Sequence, residues 1–318
     1  MSLKISDNLH SIDKLENENI FIMTENVAIH QDIRPLRLLI LNLMPTKVDT
    51  EVQLLRKLSN SPLQVEVEFI RMVSHSAKNM DASYLETFYR TFSEVKNRRF
   101  DGMIITGAPV ETLEFESVDY WPELCEIFRW TTKNVHSTFH ICWGAQAALY
   151  YYYGVPKHNL PKKCSGVFEH EILKTHSPLF FGFDDVFNMP HSRFTAVAKK
   201  DLLKVPELEL MAESGQAGVS VLKSDDNKRF FVLGHAEYDA DTLSKEYFRD
   251  VNAGLNPDVP QNYFPHDDPA LPPRVSWRAY AQLMFSNWLN YYVYQSTPYN
   301  IDQIGVENCT DAFDSAML

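Results

Sequence analysis

Four apolar runs recur in the first half of the chain: LRLLILNL (36–43), VEVEFI (65–70), GMIITG (102–107) and TFHICW (138–143). Each is too short for a helix and is bounded by polar or turn residues. Between them lie TEVQLLRKLSN (50–60), YLETFYRTFSEVK (84–96) and LCEIFRWTTK (124–133), whose apolar positions return at helical spacing. In the first of these, Val52, Leu54, Leu55 and Leu58 carry the period. Continuous apolar strands alternating with amphipathic helices predict a doubly wound α/β fold, a parallel sheet with helices on both faces. Such folds place their chemistry in the loops at the carboxyl ends of the strands.

The second half is less regular. FTAVAKK (194–200), LELMAE (208–213), GVSVLK (218–223) and RFFVLGH (229–235) read as strands, and their short spacings predict hairpins, hence a mixed sheet. Residues 252–273 carry six prolines and read as one long irregular loop, the kind that serves as a lid or binding element. SWRAYAQLMFSNWLNYYVYQ (276–295) reads as an aromatic-rich helix whose stripe belongs to the core. No repeat or flexible linker interrupts the pattern. The expected layout is an N-terminal extension packing on the core (1–35), a single α/β domain (36–300) and a C-terminal tail (301–318).

Composition narrows the function classes. At 45% hydrophobic and 23% charged, the 318 residues resemble an ordinary globular protein. Thirty Lys+Arg against 42 Asp+Glu give a net charge of −12, which argues against a nucleic-acid-binding surface and leaves room for a local basic pocket. The four cysteines (Cys125, Cys142, Cys164, Cys309) form no C-x-x-C pair, so neither a zinc ribbon nor a disulfide scaffold is expected. The clusters EHE (169–171) and HDD (266–268) lack the spacing of a metal site, and no metal is expected. The opening MSLKISDNLH has no apolar core of a secretory signal, and no run is long enough to span a membrane. The expectation is a cytoplasmic enzyme.

Cys142 ends the TFHIC strand and precedes WGAQAALYYYYG, an Ala-rich helix start. A lone cysteine is more often a small buried hydrophobe. Its place at a strand-to-helix elbow, at the positive end of a helix, favours a nucleophile instead. Gly144 would allow close helix–strand packing, and the Trp143 amide would face a developing oxyanion. Such a nucleophile needs a base and an orienter. His235 in RFFVLGHAEY is the best candidate base, with Glu237 two residues on, able to hold one ring nitrogen if the segment is extended. His140 points along the buried strand and reads as core. The turn TGAPVE (106–111) leaves two readings open: Gly107 and Ala108 supply a second oxyanion donor, or they simply end the strand.

LNLMPTKVDTEVQLLRKLSNSPLQVEVEF, DGMIITGAPVE, HICWGAQAALYYYYG, MPHSRFT and LGHAEYDADTLSKEYFRD together resemble the homoserine O-acyltransferases of the succinyltransferase type, on the class I glutamine amidotransferase-like (flavodoxin-like) fold. The resemblance spans roughly residues 15–300. His140 stands where the amidotransferase elbow G-x-C-x-G has its first glycine, which weakens a glutaminase reading. The resemblance implies that Cys142 takes the acyl group of an acyl-CoA, and that His235, oriented by Glu237, passes it to the hydroxyl of L-homoserine. It also assigns homoserine binding to Lys163, Ser192 and Arg249, residues that would otherwise read as surface, and places Lys47 at the rim. No permanently bound cofactor is implied, acetyl-CoA being a co-substrate, and a homodimer is plausible.

Glu111 bears on the acyl group. In the family, glycine just after GAPV goes with succinyl transfer and glutamate with acetyl transfer. A glutamate about 4 Å from a succinyl carboxylate in a partly screened site would repel it by roughly 4 kcal/mol. The expectation is acetyl transfer, with succinyl transfer as the alternative if Glu111 points to solvent.

Overall fold

The run 36–41 leaves only Arg37 exposed, so its strand must be covered on both faces. In the computed structural model, which describes residues 34–59, 61–74 and 82–305 and the backbone of 3–5 and 22–24, that is what happens. The short strands β1 (Leu3–Ile5) and β2 (Ile22–Thr24) pair in parallel. The first half of the main body runs β3 (Leu36–Leu41), α1 (Lys47–Ser59), β4 (Val65–Ile70), α2 (Ala82–Phe88), β5 (Tyr89–Arg90), α3 (Phe92–Val95) and β6 (Phe100–Ile105). It continues through α4 (Trp121–Asn134), β7 (Val135–Ile141), α5 (Trp143–Tyr153), β8 (Lys157–Ile172) and β9 (Val186–Val197). The remainder is α6 (Lys199–Leu202), β10 (Leu208–Ser214), β11 (Gly218–Ser224), β12 (Arg229–Val232), α7 (Thr242–Asn252) and α8 (Arg278–Asn287).

Ten strands make one mixed sheet, ordered β5-β4-β3-β6-β7-β12-β11-β10-β8-β9. From β5 to β12 the neighbours are parallel; from β12 to β9 they are antiparallel. Side chains alternate between two cores. Leu38, Ile40, Phe139 and Phe230 meet α1 and α8 on one face; Leu39, Leu41, Ile105 and Phe231 meet α4 and α5 on the other. The chain order reverses between β3 and β6, so the loops after β3, β6, β7 and β12 open a crevice at one edge.

Several expectations need correction. The helix expected over 84–96 is broken in two, because Tyr89 is drawn into the sheet beside Phe69 and donates its hydroxyl to Glu51 at 2.6 Å. The strand expected over 194–200 ends at Val197, and Lys199 starts a helical turn. β8 and most of β9, a long antiparallel pair with a register shift between Asn159 and Cys164, were not expected. The proline-rich segment lines none of the crevice and is no lid over it. It braces the back of α7 instead: the Tyr263 hydroxyl accepts from the Ser244 N–H at 3.1 Å, and Gln261 bridges to Gly166.

At the ends, Arg34 grips buried Asp101 through two hydrogen bonds of 2.8 and 2.6 Å. Residues 301–305 do not behave as a tail: Ile304 is buried and its carbonyl accepts from Arg99 at 2.9 Å. The rest of the expected extension and tail, with Cys309, lies outside the described residues. No helix among the described residues is long and apolar enough to cross a membrane.

Candidate active site

Cys142 joins β7 to α5. Its N–H donates to the Val232 carbonyl at 2.8 Å, and its carbonyl accepts from the Gln146 N–H at 3.1 Å. Its backbone sits at φ 48°, ψ −114°, a region that a residue with a side chain enters only under constraint. Part of the constraint is the nearness of α5 to β6. A Cβ on Gly144 would lie 2.5 Å from the Thr106 carbonyl oxygen, so only glycine fits. The elbow thus sets the thiol at the N-terminus of an 11-residue helix, whose first N–H groups have no partner within the helix.

His235 lies past the end of neighbouring β12, its N–H donating to the Pro190 carbonyl at 2.8 Å. Its Nδ1 is hydrogen-bonded to Glu237 at 2.7 Å, its ring stacks on Tyr238 at 4.1 Å between centroids, and it lines the same cleft as Cys142, whose sulfur acts on it electrostatically. The carboxylate reaches the ring through a turn, closed by the Tyr238 N–H to the His235 carbonyl at 3.3 Å, and not through the extended segment expected from sequence. Burial opposes a charged ring, yet the Cys142 sulfur and the Glu237 carboxylate together hold the imidazolium well above its usual range. The loop after β6 passes over both groups: a Cβ on Gly107 would lie 3.3 Å from the Cys142 Cβ and 3.7 Å from the His235 Cε1. Ala108 follows on that loop and Trp143 opens α5, so the two expected sources of oxyanion donors flank the thiol.

These groups open on a cleft of about 480 Å³. Its lining includes Glu111, Lys163, Ser192 and Arg249, which the fold gathers from four separate segments. At the far wall Lys163 lies 3.3 Å from Asp250 and 3.6 Å from Glu246. Glu246 also accepts from the Ser192 hydroxyl and, at 2.8 Å, from Tyr238. Arg249 donates twice to Asp250, at 2.9 and 2.7 Å. The result is a set of paired positive and negative groups lining the same cleft as the thiol, suited to a zwitterionic substrate. Glu246, Asp250 and Tyr238 were missed in the sequence, although E-x-x-R-D on a short helix puts these charges within one turn of each other.

A sequence profile describing homoserine O-succinyltransferase matches residues 2–299. The chain belongs to the homoserine O-succinyltransferase family. It is 57% identical over 304 residues to a homoserine O-acetyltransferase of Petrotoga mobilis, covering 96% of this chain and 98% of that one. It is 55% identical over 308 residues to another from Methanomethylophilus alvi, covering 97% and 100%. A glutamine amidotransferase of Thermotoga maritima shares the fold, with a TM-score of 0.54 at 10% identity over 81% of this chain and 98% of that one.

Two further residues that the family resemblance had singled out fare differently. Lys47 does not line the cleft. Its ammonium is tucked beneath α1, donating to the Asn42 carbonyl at 2.6 Å, and burial pulls its pKa down to about 8 despite nearby Glu51. It ties the β3–α1 loop from below. Glu111 does face the cleft. Thr195 donates to its Oε2 at 3.2 Å while also bonding Gln146 at 2.9 Å, and burial pushes the Glu111 carboxyl up in pKa.

Proposed function

We propose that this chain is a homoserine O-acetyltransferase acting through Cys142. The observation that carries the reading is the line Glu237–His235–Cys142 at the carboxyl ends of β7 and β12, opening on a cleft that holds Glu111. The Cys142 sulfur attacks the acetyl-CoA thioester carbonyl. The bond from that carbon to the CoA sulfur breaks, and CoA leaves with a proton from His235. Trp143 and Ala108 N–H groups hold the oxyanion. The γ-hydroxyl of L-homoserine, seated by Lys163, Ser192 and Arg249, then gives its proton to His235 and attacks the acetyl-Cys142 carbonyl. The bond to Cys142 breaks and O-acetyl-L-homoserine leaves. Two half-reactions through a covalent enzyme give ping-pong kinetics. The product lies on a route to methionine, and the reading places the work in the cytoplasm, with no resident cofactor.

Support comes from the family membership and from relatives at 55–57% identity that bear the acetyltransferase name. Intact-protein mass spectrometry after mixing with acetyl-CoA tests it. An added acetyl mass is expected on the protein and none on Cys142→Ala; an adduct that survives in the variant sinks the reading. The homodimer implied by the resemblance is measured by sedimentation velocity on the same sample.

A further inference from the structure

Helix α1 borders two cavities. Thr50 and Gln53 face the catalytic cleft, whereas Arg56 and Lys57, one turn on, face a second cavity of about 520 Å³. Tyr238 and Asp239 wall both, forming a ridge between them, and Trp277 pins that ridge by donating to the Tyr238 carbonyl at 3.0 Å. Arg278 of α8 closes the far side.

The charge in this second cavity is unbalanced. Its three cations, Arg56, Lys57 and Arg278, meet one carboxylate, Asp239, and Arg56 already pairs with it. Lys57 is only 5% exposed, and its ammonium donates no hydrogen bond to any described residue. Burial lowers its pKa although Asp239 and Glu237 lie in its field. Arg278 is exposed and has no ion-pair partner among the described residues. The cations of the catalytic cleft are different: Lys163, Lys245 and Arg249 each sit within 4 Å of a carboxylate. The Lys57 ammonium keeps contact with the solvent of the cavity, so an anion entering there can pair with it. In a chain of net charge −12, this is a local reversal of sign beside the site where a polyanionic donor must dock.

We propose that the cavity between α1 and α8 binds the phosphate groups of the acyl donor, the nucleoside 3′-phosphate 5′-diphosphate end of a CoA thioester. The thioester end then crosses the Tyr238–Asp239 ridge to reach Cys142. The assignment to the donor rests on the acetyl-CoA reading above. The shared chemistry is a phosphorylated nucleoside, and a free nucleotide effector is the other source of it.

Arg278→Glu is the informative variant, since Arg278 is exposed, whereas replacing Lys57 would disturb the field at Glu237. S-Acetylpantetheine carries the same thioester without the phosphates. The ratio of kcat/KM for acetyl-CoA to that for S-acetylpantetheine is expected to fall roughly tenfold in Arg278→Glu. Calorimetry with adenosine 3′,5′-bisphosphate is expected to show binding that weakens by a similar factor in the variant, and the compound should compete with acetyl-CoA. An unchanged ratio, or bisphosphate binding indifferent to the variant, overturns the proposal. Bisphosphate inhibition that is not competitive with acetyl-CoA gives the cavity to a separate nucleotide and overturns the donor assignment. If the protein transfers no acetyl group yet binds the bisphosphate in an Arg278-dependent way, the phosphate site stands and the acetyl-CoA reading falls.

Discussion

At Glu111 one side chain sits between two acyl groups that differ by a carboxylate. The Thr195 hydroxyl donates to it from the side at 3.2 Å, and the Thr195 carbonyl in turn accepts from Arg193 at 2.7 Å. Repulsion of roughly 4 kcal/mol at about 4 Å corresponds to nearly a thousandfold in rate, enough to choose between donors. Replacing Glu111 with glycine should therefore raise the succinyl-CoA to acetyl-CoA ratio of kcat/KM by two to three orders of magnitude, about 100- to 1000-fold. Turnover assays with the two thioesters check it, and an unaltered preference would show that selection lies elsewhere. Thr195→Val, which removes the hydrogen bond but leaves the charge, should shift the ratio in the same direction by a smaller factor. Burial raises the Glu111 pKa, so the discrimination should weaken as pH falls and the carboxyl takes up a proton.

Helix α5 shows how an element carries chemistry to a fixed point. It lies against β6 so closely that Gly144 has no room for a methyl group, and that contact locates Cys142 and the Trp143 N–H together. Gly144→Ala should push the helix outward and cut the rate of acetyl-enzyme formation by about a hundredfold, the usual cost of misplacing reacting atoms by around 1 Å. Single-turnover mixing with acetyl-CoA measures this; a normal burst in a folded variant contradicts it. The elbow was legible in the sequence because an apolar strand, a cysteine and an Ala-rich helix follow one another without a break. Helix α1 was legible as a helix but not as a wall of the site. Its buried side carries Lys47, Thr50, Glu51, Gln53 and Lys57 beside Leu54 and Leu58, while Val52 and Leu55 are exposed. Apolar spacing finds the face that meets a core, and here Thr50 and Gln53 of the buried face meet the cleft instead. The β8–β9 pair was hidden for a related reason. KHNLPKKCSGVFEHEI has a proline and many charges because part of it is solvated and part surrounds the cleft, so neither a period of two nor an apolar run marks it.

At the scale of the whole molecule, the described histidines whose pKa values are shifted divide into two sets with opposite consequences for stability. His140 and His170 are buried without a carboxylate partner, and burial lowers their pKa values to about 3 and about 4; His191, hydrogen-bonded to His170 at 3.0 Å, is lowered well below the usual value too. In the unfolded chain each titrates near 6.5. Between about pH 6.5 and 4 the unfolded state therefore holds protons that the folded state refuses, and stability falls as pH drops. Each ring adds a slope of up to about 1.4 kcal/mol per pH unit in that window. His235 works the other way. Its folded pKa is raised, so its contribution is fully present below 6.5 and is lost only as pH rises through the folded value. In the acid window it is protonated in both states and leaves the slope to His140, His170, His191 and His136, the last also lowered to about 4, chiefly by burial. Urea unfolding at pH 6.5, 5.75 and 5 should show a steep decline, and His140→Phe, which keeps the ring stacked 5.0 Å from Phe231, should remove about one proton's worth of it. A slope that the substitution leaves intact would mean that carboxylates, and not the buried imidazoles, set the acid limit of this fold.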